Sequence, residues 1–368
     1  MDKPRETRFE LARWITKMAY SVKYNLGSTE TQGRTANGYY PPKDLKIGGG
    51  TWEGDPDLKK ILAERYKVKP DNIAIAAGAS EANFLIGFAV VGMGKNRKKP
   101  GTVLIESPIY SPLWGIGDIL GAKVKRWNRR FEDGFQLDLE ALKGLVKGVD
   151  LIVLTNLHNP SGAAIPPKDM KAAAEIAADA GAIIHCDEVF RGFAPEKTEP
   201  TAWAGDNCIT TCSISKFQGM GGVKVGWVVS SEEMIKRIWT VREMTSCTCS
   251  RIDEEMMKII LKDEKIGQES RAIANRNIAL VKMWVESQDK VSWVESNGGM
   301  CFPKIKGVKS TVKFAEYLLK NYDTLVSPGY FFGLEGHVRI GLGGPGDVLQ
   351  GGLDNLSKVL KKDLASFK

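Results

Sequence analysis

The most informative residue of this chain is Lys216, which lies in the stretch Ser213-Ile214-Ser215-Lys216-Phe217-Gln218-Gly219. A lone lysine would indicate little, because the chain has 52 Lys plus Arg residues and most lysines lie on solvated surfaces. The order of the surrounding motifs gives Lys216 its weight. These motifs are Gly78-Ala79-Ser80, Tyr110, Asn159-Pro160-Ser161-Gly162 and Asp187-Glu188-Val189-Phe190 upstream, and Val338-Arg339-Ile340-Gly341 downstream.

Together the motifs supply the groups that would hold pyridoxal phosphate and an amino acid. A glycine turn that leads into a helix presents free backbone N–H groups to a phosphate. A lysine amine forms a Schiff base with an aldehyde once it has lost its proton. Asp187 follows an apolar run, and Arg339 comes late in the chain. The sequence therefore predicts an enzyme that forms Schiff bases.

Length and composition predict a soluble two-domain protein. The chain has 368 residues, of which 43% are hydrophobic and 26% charged. We find no apolar stretch long enough to span a bilayer, and Met1–Glu6 lacks the apolar core of a secretory signal, so we expect a cytoplasmic protein without membrane association. The net charge of +8 is spread along the chain, which favours solvated surface loops over nucleic-acid binding.

Cysteine and histidine are too scarce to predict a disulfide framework or a metal site. The chain contains six cysteines and three histidines. Cys247-Thr248-Cys249 has no second cluster at zinc-ligand spacing. We therefore expect no metal.

Apolar runs alternate with helical patterns through the middle of the chain. The predicted strands are Ile73–Ala77, Thr102–Glu106, Leu151–Thr155 and Ala182–Asp187, and the predicted helices include Glu81–Met93 and Lys168–Ala180. Continuous apolar strands joined by helices are typical of a mainly parallel sheet covered on both faces. Gly78, Tyr110, Asn159 and Asp187 all lie where such strands end, which is the edge at which open α/β sheets bind ligands.

The remainder of the chain predicts a second, smaller domain. Residues 232–265 have a helical pattern, residues 269–288 read as one longer helix, and the tail mixes short strands and helices. We predict a large domain over 45–265 and a small α+β domain from 1–44 and 266–368, with an interdomain helix near 269–288.

From Leu26 to Leu342 the motifs and their order resemble the aspartate aminotransferase-like enzymes of fold type I, the class I/II aminotransferases. The resemblance implies an α/β fold with a seven-stranded, mainly parallel sheet, helices on both faces and a smaller α+β domain. It also implies pyridoxal 5'-phosphate as cofactor, amino acids and 2-oxo acids as substrates, and a homodimer with active sites near the interface.

The resemblance also implies roles for the residues that touch the cofactor ring. Lys216 would form the aldimine with the cofactor aldehyde and later move the Cα proton of the substrate. Asp187 would pair with the protonated pyridine nitrogen. Asn159 would bond the phenolic oxygen of the cofactor, and Tyr110 would stack on its ring.

Phosphate and substrate contacts follow from the same resemblance. The expected phosphate ligands are Gly78, Ala79, Ser80, Ser213, Ser215 and Lys224. Arg339 would bind the α-carboxylate of the substrate with its two-pronged guanidinium. The substrate contacts would be completed by Gly27 and Ser28 of the early loop Asn25-Leu26-Gly27-Ser28, together with Asn159.

Three features depart from the family pattern. Phe190 stands where the family usually has tyrosine, and Lys224 stands where it usually has arginine, so hydrogen bonds are lost while bulk and charge remain. We expect cofactor binding to survive. The tyrosine that a partner subunit commonly lends to the phosphate has no clear match among Tyr39, Tyr40 and Trp52.

Reaction and substrate stay open at this point. The leading prediction is an aminotransferase, and the alternative is a lyase, cyclase or decarboxylase, because Asp187–Phe193 and Thr201–Asp206 resemble a subgroup that includes capreomycidine synthase. A regulatory binding protein is disfavoured by the intact Lys216 and Asp187 motifs. The donor side chain is undetermined; an acidic donor would need a second arginine, for which Arg34 and Arg251 are candidates.

Overall fold

A computed structural model describes residues 10–48, 52–92, 101–194 and 198–368. Within these residues the α-helices are α1 (Glu10–Met18), α2 (Pro56–Tyr66), α3 (Ala79–Gly87), α4 (Ser111–Ile119), α5 (Leu139–Leu145), α6 (Pro167–Asp179), α7 (Glu232–Arg242), α8 (Arg251–Lys262), α9 (Glu264–Glu286), α10 (Thr311–Tyr322) and α11 (Gly346–Leu360). The strands are β1 (Tyr24–Asn25), β2 (Ile73–Ala76), β3 (Thr102–Ser107), β4 (Lys123–Asn128), β5 (Leu151–Thr155), β6 (Ile183–Asp187), β7 (Cys208–Ser213), β8 (Gly226–Val229), β9 (Val291–Ser292), β10 (Met300–Cys301), β11 (Lys304–Ile305), β12 (Thr324–Leu325), β13 (Ser327–Pro328) and β14 (Val338–Gly341).

The central sheet has seven strands in the order β2-β8-β7-β6-β5-β3-β4. Strands β4, β3, β5, β6 and β7 pair in parallel with one another in this order. Strand β8 lies antiparallel to both β2 and β7, so β2 points the same way as the parallel strands. The structure thus confirms the mainly parallel α/β fold.

Helices cover both faces of this sheet, as the continuous apolar strands predict. Along β5, Val153 packs into a core that includes residues of α3 and α7. Its neighbours Ile152 and Leu154 point the other way, into a core with residues of α5 and α6. Because successive side chains of a strand alternate between faces, both faces require apolar residues.

A second core lies outside the central sheet. It gathers apolar residues of α9, α10 and α11 with those of β14. Strand β14 pairs antiparallel with β10 on one side and β13 on the other. Helix α9 contributes Ile266 to a core of the central sheet and Trp284 to this second core, as an interdomain helix would. The domain limits themselves stay a prediction, and residues 1–9 of the predicted small domain lie outside the described residues.

Several element boundaries differ from the sequence prediction. The helix after Gly78 begins at Ala79 rather than Glu81, because Gly78 adopts a left-handed φ of 84° and turns the chain directly into α3; its predicted end, Met93, lies outside the described residues. The helical pattern over 232–265 is divided between α7 and α8, and Ser250 caps α8 by accepting a hydrogen bond from the Asp253 N–H. The predicted helix 269–288 already begins at Glu264.

In the described part of the chain, no helix combines the length and the apolar character that crossing a membrane requires.

Candidate active site

One cavity of about 300 Å³ opens at the edge where the parallel strands of the central sheet end. It is lined by all the residues that the family resemblance assigns to cofactor or substrate: Gly27, Ser28, Gly78, Ala79, Ser80, Tyr110, Asn159, Asp187, Ser213, Ser215, Lys216, Lys224 and Arg339. These residues come from both cores, since Arg339 lies on β14 and Asp187 ends β6. The fold therefore brings the predicted residues together, while their individual roles remain predictions.

The predicted phosphate turn lies between β2 and α3. Gly78 precedes α3, so the free N–H groups of the first helical turn face the cavity. A Cβ atom on Gly78 would lie 3.6 Å from Lys224 Nζ, which puts the ammonium beside the turn. The glycine at position 226 lets the backbone of β8 approach the turn, because a Cβ there would lie 2.5 Å from the Gly78 carbonyl carbon and 2.6 Å from the Ala79 nitrogen. This backbone cradle suits a phosphate.

The antiparallel direction of β8 explains why Lys224 reaches the site. Lys224 precedes β8, whereas Ser213 ends β7, and the two strands run in opposite directions. The start of one strand and the end of the other therefore lie at the same edge. Beyond β7, Ser213 Oγ and Ser215 Oγ are 2.8 Å apart. Hydroxyl and ammonium groups thus meet the helix N-terminus at one corner of the cavity.

Asp187 lies at the end of β6 in a network of buried polar groups. The Asn83 side-chain amide donates a 2.7 Å hydrogen bond to Asp187 Oδ2, and the Val189 N–H donates to Oδ1 at 3.1 Å. The Asn83 carbonyl oxygen is 3.1 Å from His185 Nε2, which is also 2.8 Å from Thr211 Oγ1. Burial raises the pKa of the Asp187 carboxyl above its ordinary value, and the bond from Asn83 acts against that change. A cationic partner in the cavity would stabilise the carboxylate further.

Lys216 extends into the same cavity from the loop after β7. Its side chain is half-buried, and its Nζ lies 3.8 Å from Glu30 Oε2. Burial is the main cause that lowers the pKa of the Lys216 ammonium; Glu30 opposes this effect, and Arg339 adds to it. A lowered pKa enlarges the fraction of neutral amine, which is the form that acts as nucleophile or base.

Arg339 is buried at the opposite wall, on β14. Its terminal nitrogens donate 3.1 Å hydrogen bonds to Asn159 Oδ1 and to the Gly27 carbonyl oxygen. The guanidinium carbon lies 4.9 Å from the centre of the Phe332 ring, and burial lowers the pKa of Arg339 to about 10. Its Nε has no hydrogen-bond partner among the described residues, which leaves a buried donor free for a ligand.

Aromatic rings form two further walls. Tyr110 lines the cavity at the start of α4, and burial raises the pKa of its phenol. Phe190 lines it after β6 and stacks on Phe193, with ring centroids 6.5 Å apart. Because Phe190 has no hydroxyl, this wall contributes no hydrogen-bond donor where the family usually has tyrosine.

Sequence reasoning missed three contributors. Asn83 was the one polar residue in the apolar stretch Ala82–Ile86, and this isolation was the available signal. Helix α1 supplies Leu11 and Ile15 to the cavity wall, and Glu30 approaches Lys216. No local pattern marks these N-terminal residues, because their role depends on how distant segments pack.

The arginines proposed for an acidic substrate lie outside this cavity. Arg34 pairs with Glu269 and donates to Ser270 Oγ at 3.1 Å, which directs its guanidinium toward α9. Arg251 pairs with Asp55 at 2.7 Å and is not among the residues that line the cavity. Neither reaches the cavity that contains Lys216.

Comparison with known proteins settles the family. The model of the family "Aminotransferase class I and II" matches residues 47–356. This chain belongs to that family. Its members depend on pyridoxal phosphate, so the cofactor prediction is confirmed.

Two similar proteins are named for different reactions. The chain is 27% identical to capreomycidine synthase of Streptomyces vinaceus, over 86% of this chain and 82% of that protein. It is also 27% identical to aspartate aminotransferase of Pyrococcus horikoshii, over 84% of this chain and 82% of that protein. A solved pyridoxal-phosphate-dependent aminotransferase of Streptococcus suis superposes with a TM-score of 0.89 at 27% identity, with 99% of each chain covered.

The residues present fit the cofactor of the family. The Gly78 turn with Gly226 forms a backbone cradle that a Cβ atom would fill, and Lys224 supplies a cation there. Asp187 offers a buried carboxylate, and Lys216 an amine with a lowered pKa. Among the described residues no group of His, Cys, Asp and Glu is arranged to hold a metal ion.

Proposed function

We propose that this protein is a pyridoxal-phosphate-dependent aminotransferase that moves an amino group between an amino acid and a 2-oxo acid. The observation that carries the proposal is the common cavity of Lys216, Asp187 and Arg339. It combines a neutralisable amine, a buried carboxylate and a buried guanidinium with a free donor. In the reaction of an amino acid, the amine would transfer the proton and the guanidinium would orient the substrate. The carboxylate would support electron withdrawal by the cofactor.

Lys216 is the proposed covalent anchor and proton carrier. Burial lowers the pKa of its ammonium, so its neutral amine would hold the cofactor and, once the substrate amine has displaced it, would take a proton from the substrate Cα. When bound, the cofactor withdraws electrons from that carbon through its pyridine ring. Asp187 is proposed to hold the proton on the ring nitrogen, because a buried carboxylate gains most from a charged partner.

Arg339 is proposed to orient the substrate. Its guanidinium is fixed by Asn159 and Gly27, so a carboxylate bound to it would be held in one plane. A fixed carboxylate fixes the direction of the Cα–H bond relative to Lys216 Nζ. Leu11 and Ile15 of α1 line the same space and limit access of water to the reacting atoms.

A single-turnover experiment tests the reaction type. Purified holoenzyme is mixed with a panel of amino acids without any 2-oxo acid, and the cofactor spectrum and products are followed. An aminotransferase converts the cofactor to pyridoxamine phosphate and releases one 2-oxo acid per active site. Addition of a 2-oxo acid must then restore the original spectrum.

A lyase or cyclase is the second candidate, supported by the 27% identity to capreomycidine synthase over 86% of this chain. Such an enzyme would consume the amino acid while its cofactor returns to the starting spectrum without a 2-oxo acid. The same experiment therefore separates the two candidates by the state of the cofactor after one turnover.

We further propose a cytoplasmic homodimer. Family members generally form dimers, and exposed apolar side chains such as Tyr40, Ile47 and Trp52 offer surface for a second copy. Light scattering of the purified holoenzyme is expected to give twice the mass of one chain. A fully active single chain would contradict the dimer.

A further inference from the structure

One charged residue of the active-site cavity has no task in the proposed reaction. In the described part of the chain, the charged residues that line the cavity are Glu30, Asp187, Lys216, Lys224 and Arg339. Asp187 is assigned to the cofactor ring and Lys216 to the covalent attachment of the cofactor. Lys224 is assigned to the cofactor phosphate and Arg339 to the substrate carboxylate. Glu30 remains, and its side chain is 44% exposed, so its carboxylate can still meet a ligand.

The backbone holds Glu30 firmly in place. The Thr31 N–H donates to the Lys216 carbonyl oxygen at 3.0 Å, and the Gln32 N–H donates to the Gly343 carbonyl oxygen at 3.0 Å. A Cβ atom on Gly343 would collide with the Glu30 carbonyl oxygen, so the two backbones are in close contact. The backbone from which the Glu30 side chain extends is therefore anchored to the segments that contain Lys216 and Gly343.

Glu30 lies where the active-site cavity meets a second, outer cavity of about 400 Å³. Four residues line both spaces: Ile15, Thr16, Ser28 and Glu30. A short side chain of a bound amino acid would end within the inner cavity. A longer one would pass Glu30 on its way to the outer cavity.

The cation nearest to Glu30 is the reacting lysine itself. Among the described residues, Lys216 is the one basic group within salt-bridge distance, at 3.8 Å. Both proposed roles of Lys216, anchor and base, use its uncharged amine, so Lys216 does not give this carboxylate a lasting positive partner. A partly buried carboxylate without a counter-charge favours a cationic ligand.

Arg34 is the opposing charge in the outer cavity, but it is already engaged. It pairs with Glu269, and it donates to the Ile266 carbonyl oxygen at 3.2 Å and to Ser270 Oγ at 3.1 Å. Arg34 lines only the outer cavity, whereas Glu30 lines both the inner and the outer cavity. Along the path of a long substrate side chain, the charge without a lasting partner is therefore the negative charge of Glu30.

We propose that Glu30 is a specificity residue that selects amino acids with a long side chain ending in an amine or a guanidinium. This inference rests on the proposed reaction of an α-amino acid in the Lys216 cavity. The carboxylate would pair with the distal cation while Arg339 binds the α-carboxylate at the other wall. Acidic side chains would meet Glu30 with repulsion.

Binding to the holoenzyme tests the proposal without turnover. The probes are α-methyllysine, α-methylleucine and α-methylglutamate, which lack the Cα hydrogen and therefore cannot complete the reaction. Their dissociation constants are read from the change in cofactor absorbance. We expect α-methyllysine to bind roughly two- to fivefold more tightly than α-methylleucine, as for a partly exposed ion pair, and α-methylglutamate to bind most weakly.

Two matched variants assign the preference to the carboxylate. Glu30→Gln keeps the shape and removes the charge, and it is expected to remove the advantage of α-methyllysine while leaving α-methylleucine unchanged. Glu140→Gln is the control, because Glu140 also pairs with a lysine, Lys143 at 2.6 Å, but lies on the exposed surface of α5. It is expected to bind all three probes like the unmodified protein.

Each contrary outcome has a distinct meaning. Equal binding of the three probes by the unmodified protein would overturn the role of Glu30 while leaving the aminotransferase proposal intact. Equal weakening of all probes in Glu30→Gln would also overturn it, because Glu30 would then only position Lys216. If no amino acid changed the cofactor absorbance, the proposed function would fall and this inference with it.

Discussion

At the scale of single residues, burial sets the protonation of the groups that would do the chemistry. Lys216 and Asp187 are both shifted toward their neutral forms, since desolvation penalises a charge of either sign. Each then gains from a ligand that compensates this penalty: an aldehyde that consumes the amine, and a ring cation that pairs with the carboxylate. Both effects favour binding of the cofactor.

Lys216→Ala is expected to abolish turnover and the covalent attachment of the cofactor while leaving the fold intact. The only ion pair of Lys216 in the described chain is a 3.8 Å contact with a half-exposed carboxylate, so little stability depends on it. Borohydride reduction followed by peptide mapping measures the attachment, and thermal unfolding measures the fold. Lys143→Ala, on the exposed side of α5, is the control. Full activity with the cofactor reduced onto another lysine would refute the assignment.

Arg339→Lys is expected to lower kcat/KM for α-amino acids by roughly 2–4 kcal/mol of transition-state stabilisation, because the charge remains but the planar fork is lost. Simple amines without a carboxylate should be nearly unaffected. Steady-state kinetics with both substrate types measure the difference. Equal losses for amines and amino acids, or loss of cofactor at unchanged amino-acid affinity, would argue for a structural role of Arg339.

At the scale of secondary-structure elements, the position of the phosphate turn depends on how closely β8 approaches α3. Strand β8 runs against its neighbours, so its first residue, Gly226, faces the turn at Gly78. The absence of a side chain at Gly226 lets the two backbones touch. Packing of two elements thus places the helix N-terminus and the Lys224 ammonium around one point.

Gly226→Ala is expected to displace this turn. The new Cβ would lie 2.5 Å from the Gly78 carbonyl carbon and 2.9 Å from the Cys212 carbonyl oxygen, so backbone must move. We expect a loss of about 1–3 kcal/mol in unfolding free energy, as for overpacking, together with weaker binding of pyridoxal phosphate. Urea unfolding and cofactor titration of the variant measure the two effects.

Gly222→Ala is the matched control, because a Cβ there would meet nothing within 4 Å. It is expected to change the unfolding free energy by less than about 0.5 kcal/mol, as for most surface substitutions. Equal cofactor affinity in the two variants would show that the close approach at Gly226 does not position the turn.

At the scale of the whole molecule, the packed interior keeps ionisable side chains in their neutral form. In acid, such groups bind a proton more readily once the chain has unfolded. The His337 ring stacks on Phe302 with ring centroids 4.9 Å apart and meets Phe135 edge to face. Burial lowers the pKa of His337 to about 4 from an ordinary 6.5, while the nearby Lys304 and Glu132 act in opposite directions. The folded chain therefore keeps this imidazole neutral where the unfolded chain binds a proton.

His337→Phe is expected to make stability less sensitive to acid. Since the folded pKa is depressed, the contribution of His337 is fully present above pH 6.5 and is lost as the pH falls toward about 4. Relative to the unmodified protein, the variant should gain up to about 1.4 kcal/mol of unfolding free energy per pH unit in this window. Urea unfolding at several pH values measures the gain, and parallel pH profiles would exclude the effect.

The mainly parallel sheet and several residues at its edge could be predicted from the sequence. Strand β5 was predicted with its observed limits, because five consecutive apolar or β-branched residues between turns leave few alternatives. Asp187 ends β6 and Asn159 follows β5, so the predicted strands were enough to bring these two residues to one edge, whereas the strand before Lys216, β7, was not predicted. Their chemistry could be inferred from residue type and motif.

The distant residues that complete the cavity could be identified only from the tertiary structure. Asn83 bonds Asp187 across 104 residues, and the Thr31 hydroxyl bonds the Phe217 carbonyl across 186, which brings Glu30 beside Lys216. The antiparallel course of β8 likewise brought Lys224 to the phosphate turn. Local propensities cannot specify such contacts, because they arise from the packing of whole elements and not from the pattern within any one of them.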